Sequence, residues 1–180
     1  MNRTRLPLLA ALLCTAGLAH ADLKIGVIAS STGVTAVVGM PQKNTVALLP
    51  AEIGGQKVEY IVLDDASDPT NAVTNVKKLL SEHKVDALIG PTTTPAALAM
   101  LDFVAESKTP LLTTVGSSAL VQPMDEKKKW VFKTTQNDDL IAEAVIEHMT
   151  KTGMKTIGFI GFNDPYGENW FKVFSAMAEK

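Results

Sequence analysis

The sequence predicts an α/β fold built on a parallel sheet, and three observations carry that expectation. Short runs of Val, Ile and Leu recur along the chain without strict alternation, as strands covered on both faces require. Amphipathic stretches of helical period lie between them. The two kinds of segment follow one another in turn, which brings each strand back parallel to the last.

Residues 1–21 stand outside this pattern. Arg3 and Arg5 precede an apolar stretch over 6–18, and Ala19-His20-Ala21 leads to Asp22. A basic start, a short apolar centre and an A-x-A exit describe a secretory signal peptide cut after Ala21. The apolar stretch falls short of the ~20 residues a membrane helix needs, and no later segment approaches that length. The sole cysteine, Cys14, lies inside this signal behind Leu13, where a lipoprotein would need a small residue. The mature chain is therefore expected to be exported, soluble and free of disulfides.

The strands are expected at 23–29, 58–64, 85–90, 110–115, 130–135 and 156–161. A helix over 71–83 would stack Ala72, Val76 and Leu79, with Asp68 as its cap and Pro69 at its first position. Lys77, Lys78 and His83 suit its negative end. A second helix, 95–107, stacks Ala97, Leu101 and Val104, and Pro95 at its first position makes Thr94 the natural cap. A third, 138–151, stacks Ile141, Val145 and His148, and the last stacks Trp170, Phe174 and Met177. In the region 35–53, Pro41 and Pro50 bracket only a short helix before Gly54-Gly55 turns the chain. Lys180 follows an apolar stripe still running at Ala178, with no glycine or proline to stop it, so the chain reads as a fragment of a longer protein.

Composition narrows the function. With 17 basic and 19 acidic residues the formal charge is −2. It becomes more negative once Arg3 and Arg5 leave with the signal. No basic stripe or aromatic–basic interleaving is present, which argues against nucleic acid as a partner. No dinucleotide or phosphate-loop glycine pattern occurs, since Gly33 and Gly39 are too widely spaced. No nucleophile elbow or metal-ligand spacing occurs either, so no catalytic residue, metal or cofactor is expected. The acidic run 64–69 is explained by a strand end and a helix cap.

What remains is a set of hydroxyl-rich loops at strand ends: "ASSTGVTAVVG" from Ala29, "GPTTTPAALA" from Gly90 and "TTVGSSAL" from Thr113. Open parallel sheets bind ligands outside the carboxyl ends of their strands. Thr92, Thr93 and Thr94 at a helix N-terminus offer hydroxyls and free N–H groups suited to a carboxylate. If the strands before Thr94 and Ser117 are neighbours, both face one crevice. Thr94 as a mere cap, and Ser117 and Ser118 as turn residues, are the plainer alternatives.

In order, "LKIGVIASSTG", "YIVLDDASDPTNAV", "ALIGPTTTPAALA", "PLLTTVGSSALV", "FKTTQNDD" and "FIGFNDPYGENW" resemble the periplasmic solute-binding receptors of ABC importers, of the leucine/isoleucine/valine-binding type. The likeness spans nearly all of the mature chain. It implies a periplasmic receptor, monomeric when complete, with two similar lobes closing on an amino acid or related carboxylate and docking on an ABC permease. Residues 22–134 would form the first lobe, and 135–180 the crossover and start of the second. Matched position by position, Thr94 holds the ligand carboxylate, with Thr93 beside it. Ser117 is the second hydroxyl, the Val115 carbonyl accepts from the ligand ammonium, Asp138 lies near it, and Tyr166 comes down from the second lobe. Three positions depart from the pattern. Val38 stands where an aromatic is common, Ser67 and Thr93 stand where some members have bridging cysteines, and the helix after the first loop is shorter. A ligand-sensing regulatory protein on the same fold is the alternative. A secreted enzyme with its catalytic residues beyond Lys180 is a further one.

Overall fold

The computed structural model describes residues 22–179, so the expected signal peptide lies outside the described residues. Six strands form one sheet: β1 (Leu23–Ala29), β2 (Glu52–Ile53), β3 (Gln56–Asp64), β4 (Ala87–Ile89), β5 (Leu111–Thr113) and β6 (Val131–Lys133). Their order is β2-β3-β1-β4-β5-β6. β1 pairs along its whole length with β3, from Leu23 opposite Val58 to Ala29 opposite Asp64. The pairs β1–β4, β4–β5 and β5–β6 are parallel as well. Only β2 runs antiparallel, folded onto β3 by the Gly54-Gly55 turn at the sheet edge.

Among the described residues, five α-helices accompany the sheet: α1 (Ala36–Thr45), α2 (Pro69–Lys78), α3 (Thr94–Ser107), α4 (Asp138–Thr152) and α5 (Pro165–Ala178). The chain leaves β1 toward β3, then crosses back over β1 to β4 and continues outward to β5 and β6. Right-handed crossovers place α2 and α3 together on one face and α1 on the other. α2 and α3 indeed pack against each other. Between them and the sheet lies the core of Ile28, Val76, Leu79, Leu88, Met100, Val104, Leu111 and Val131. The periodicity that predicted these helices is the periodicity that is buried: Ala72, Val76 and Leu79, and Ala97, Leu101 and Val104.

The opposite face is thinly covered toward β6. Across the register Val27–Ile89–Leu112–Phe132, Val27 is buried, whereas Leu112 is 40% and Phe132 53% exposed.

Several expectations need correction. Residues 156–161 form no ladder among the described residues, and Ile160 is fully exposed at 100%. A strand exists only by pairing, and no strand lies alongside to complete this one. For the same reason α4 buries only Asp138 and Ala142, leaving Val145 and His148 exposed. Pro41 does not bound α1 but lies inside it, and the Thr45 hydroxyl donates to the Pro41 carbonyl at 2.9 Å. The helix expected to reach His83 does so: α2 continues beyond Lys78 into one wider turn, Leu79–His83, that ends in left-handed Lys84.

Candidate functional site

The strand order reverses at β1 and β4, adjacent strands whose onward connections leave in opposite directions. Such a switch point opens a crevice beyond their carboxyl ends. Loops 30–35, 64–68, 90–94 and 114–118 gather there. Two glycines allow the close fit. Gly90 has φ +106°, and a Cβ on it would meet the Ile28 carbonyl at 2.0 Å. A Cβ on Gly39 would meet the Ser30 carbonyl at 2.0 Å, so α1 can lie directly against the end of β1.

A hydrogen-bonded belt crosses these strand ends. The Asp65 Oδ1 accepts from the Ser30 hydroxyl at 2.6 Å and from Ser67 N–H at 3.0 Å. Ser30 N–H donates to Thr92 Oγ1 at 2.9 Å, and that hydroxyl donates to Gln42 Oε1 at 2.7 Å. Gln42 Nε2 then donates to Thr114 Oγ1 at 3.2 Å, which donates to the Pro91 carbonyl at 2.9 Å. Thr135 Oγ1 closes the far edge on the Val115 carbonyl at 3.0 Å. The belt joins the segments that follow β3, β1, β4, β5 and β6 and fixes the spacing of the loops.

Within this frame the threonines divide their roles differently from the sequence reading. Thr93, not Thr94, caps α3: its hydroxyl accepts from Ala96 N–H at 3.4 Å, and its carbonyl takes Ala97 N–H at 3.0 Å. Thr94 is the first helical residue, with Pro95, which has no N–H, second. The N–H groups of Ala96 and Ala97 are thereby both taken by Thr93. Its Oγ1 is buried and has no hydrogen-bond partner, and the same holds for Ser117 Oγ; the residues are 1% and 0% exposed. β4 and β5, the strands leading to these two residues, are neighbours. A buried hydroxyl without a partner costs about 1–3 kcal/mol, so each calls for an explanation. The two of them stand on adjacent strand ends.

The remaining sequence-predicted residues already have partners within the protein. The Val115 carbonyl is engaged by Thr135. Asp138 is 1% exposed, and its Oδ1 accepts from Ser118 N–H at 3.0 Å and Asp139 N–H at 3.1 Å. Its Oδ2 accepts from Asn169 Nδ2 of α5. Tyr166 is 38% exposed in the first turn of α5, whose cap Asp164 accepts its N–H at 2.9 Å. Its ring lies 6.4 Å from Phe162 and 6.5 Å from Trp170, in an apolar hollow of about 240 Å³ that also includes Phe159 and Ile160. The structure brings Thr93, Thr94, Val115, Ser117 and Asp138 to one rim; Tyr166 makes no hydrogen bond or ring contact with them. A larger groove of about 510 Å³ lies between α2 and α3, away from this chemistry.

Sequence reasoning missed Gln42, Asp65 and Lys133. Gln42 sits in the helix that Pro41 made hard to read. Asp65 was absorbed into a strand-end explanation, yet it is fully buried with Oδ2 unpaired. Lys133 Nζ bonds the Gly116 carbonyl and Asn137 Oδ1, both at 2.5 Å. Burial pushes its ammonium pKa down, against the upward pull of Asp138 and Asp139. Among the described residues, no group of three His, Cys, Asp or Glu side chains is placed to hold a metal, and no helix is long and apolar enough to cross a membrane.

Residues 22–180 match the family model described as "Periplasmic binding protein". The chain is 29% identical to the Leu/Ile/Val-binding protein BraC3 of Rhizobium johnstonii over 178 residues, 93% of this chain and 47% of that protein. It is 53% identical to an extracellular ligand-binding receptor of Rhodopseudomonas palustris HaA2 of known crystal structure, with a TM-score of 0.86 over 88% of this chain and 44% of that one. A solute binding protein of an ABC transporter from Rhodopseudomonas palustris BisB5, solved with 3,4-dihydroxy benzoic acid, shares the fold at 23% identity and a TM-score of 0.79. The chain thus spans about half the length of the relatives it matches.

Proposed function

Because the chain belongs to the periplasmic binding protein family, we propose that it is the rim-bearing part of an extracytoplasmic solute-binding receptor. The receptor takes an amino acid or related small carboxylate and delivers it to an ABC permease. The family is one of binding proteins, so no covalent step is required. The observation that carries the reading is the pair of buried, unpaired hydroxyls on neighbouring strand ends, Thr94 Oγ1 and Ser117 Oγ.

On this reading residues 22–134 form one lobe and 135–180 begin a second. The ligand carboxylate meets Thr94 and Ser117 on the belted rim of the first lobe. The second lobe then swings down and brings Tyr166 over the ligand, shifting the receptor between open and closed populations. The belt supports this by fixing the spacing of the loops that carry the two hydroxyls before the ligand arrives, so that little loop ordering is left to binding.

Thr94→Val tests the assignment. It keeps the volume and removes a hydroxyl that bonds nothing in the protein, so thermal stability should be unchanged or slightly raised. Affinity for the bound solute should fall by about 1–3 kcal/mol, measured by calorimetry with a panel of L-leucine, L-valine, L-phenylalanine and their deaminated counterparts. Unchanged affinity would remove Thr94 from the site.

A further inference from the structure

Ser117 is held from both sides by charged groups of the segment that follows β6. The Gly116 carbonyl before it accepts from Lys133 Nζ at 2.5 Å, and the Ser118 N–H after it donates to Asp138 Oδ1 at 3.0 Å. Thr135 Oγ1 adds its bond to the Val115 carbonyl. The Ser117 hydroxyl itself bonds nothing in the protein. Residues 133–138 thus set where that hydroxyl stands without occupying it.

Asp138 reaches further than the other two. It is buried, and its second oxygen, Oδ2, accepts from Asn169 Nδ2 of α5. One carboxylate therefore joins a loop 20 residues before it to a helix residue 31 after it. Among the described residues, this is the one hydrogen bond from α5 to another part of the chain beyond its own Asp164 cap. α5 buries Gly167 alone, so packing does little to fix its place. Tyr166 lies three residues before Asn169, on the same side of the helix. A buried carboxylate is costly to leave short of donors. Its two oxygens share one rigid group, so the loop and α5 keep both bonds only by moving together.

We propose that Asp138 is a positioning residue that ties the Ser117 loop to α5, so that the hydroxyl offered to the ligand and the helix carrying Tyr166 move as one unit. This rests on the reading of Ser117 as a ligand group. Asp138 acts through Ser118 and Asn169 rather than on the ligand.

Exchanging the two partners tests the tie. Asn169→Asp sets carboxylate against carboxylate. Adding Asp138→Asn restores a donor–acceptor pair of reversed direction, and the new amide keeps an oxygen for Ser118 N–H. Both are made in the receptor at its full natural length and followed first by hydrogen–deuterium exchange without ligand. Asn169→Asp should speed exchange in residues 165–178 and also in residues 116–120, and the double variant should return both toward wild type. Calorimetry with L-leucine, L-phenylalanine, 4-methylpentanoate and 3-phenylpropanoate comes second. Affinity for the tightest binder should fall about fivefold or more in Asn169→Asp and recover in the double variant. Faster exchange in 165–178 with 116–120 unchanged overturns the inference, and so does a double variant that recovers nothing. Coupled exchange with unchanged affinity overturns it as well, since the tie would not serve the ligand. If Asn169→Asp does not fold, Asn169→Ala removes the donor without adding a charge and is read on the same two segments. Coupled exchange with none of the four compounds bound sustains the tie and removes the solute class proposed for the rim, so the two readings fail separately.

Discussion

Residues 87–89 and residues 156–161 are written in the same way, as short apolar runs feeding a helix capped by a hydroxyl or carboxylate and opened by proline. The first is β4, paired on both sides, with Leu88 fully buried under α2 and α3. The second pairs with nothing among the described residues, and Ile157, Phe159, Ile160 and Phe162 are all exposed. The helices that follow differ likewise. α3 buries six residues, whereas α5 buries Gly167 alone. Local sequence therefore writes the element and its cap, while its energy comes from what lies alongside.

The largest expected effect separates the two regions directly. Leu88→Ala should destabilise by about 2–5 kcal/mol, since it empties a filled core. Val145→Ala, on the exposed face of α4, should lie within about 0.5 kcal/mol. Denaturant unfolding of both variants checks this. Equal losses would mean that α4 has a partner surface that its exposure does not reveal.

A finer contrast uses two left-handed glycines. Gly153 ends α4 at φ +73° with open space around it, so Gly153→Ala should cost about 1 kcal/mol, the backbone penalty alone. Gly90 ends β4 at φ +106° with the Ile28 carbonyl in the way, and Gly90→Ala should cost about 3 kcal/mol as strain and clash combine. Similar melting temperatures for the two variants would show that the β1–β4 approach yields easily and that the rim is softer than its packing implies.

Much of the fold was legible because periodicity and burial coincide there. Ala72, Val76 and Leu79 were readable as a stripe and are buried as one, and Asp68 caps α2 as its position before Pro69 indicates. The adjacency of the loops bearing Thr94 and Ser117 was readable only as a condition, because strand order is set by crossovers rather than by residues. The exchange of roles between Thr93 and Thr94 was not readable, because a one-residue shift of a helix start leaves the sequence pattern unchanged. Gln42 could not be found at all. Its amide joins Thr92 and Thr114, 50 and 72 residues away, and no local spacing records such a contact.

The smallest effect concerns Asp64, at the end of β3, and asks whether the belted rim also shapes the acid limb of stability. Burial alone would raise its carboxyl pKa, but the Thr32 side chain, the Ala66 and Thr32 N–H groups and Ser31 outweigh that and hold it below its ordinary value. A carboxyl depressed in the folded state stabilises the protein above its unfolded pKa. That contribution is lost as pH falls through the folded value. Asp64→Asn should therefore be the less stable protein near neutral pH, and the two stability curves should converge in acid, below the ordinary carboxylate range. A gap of constant size at every pH would mean that the Asp64 contacts act through shape and not through charge. The acid sensitivity of the rim would then have to come from another group.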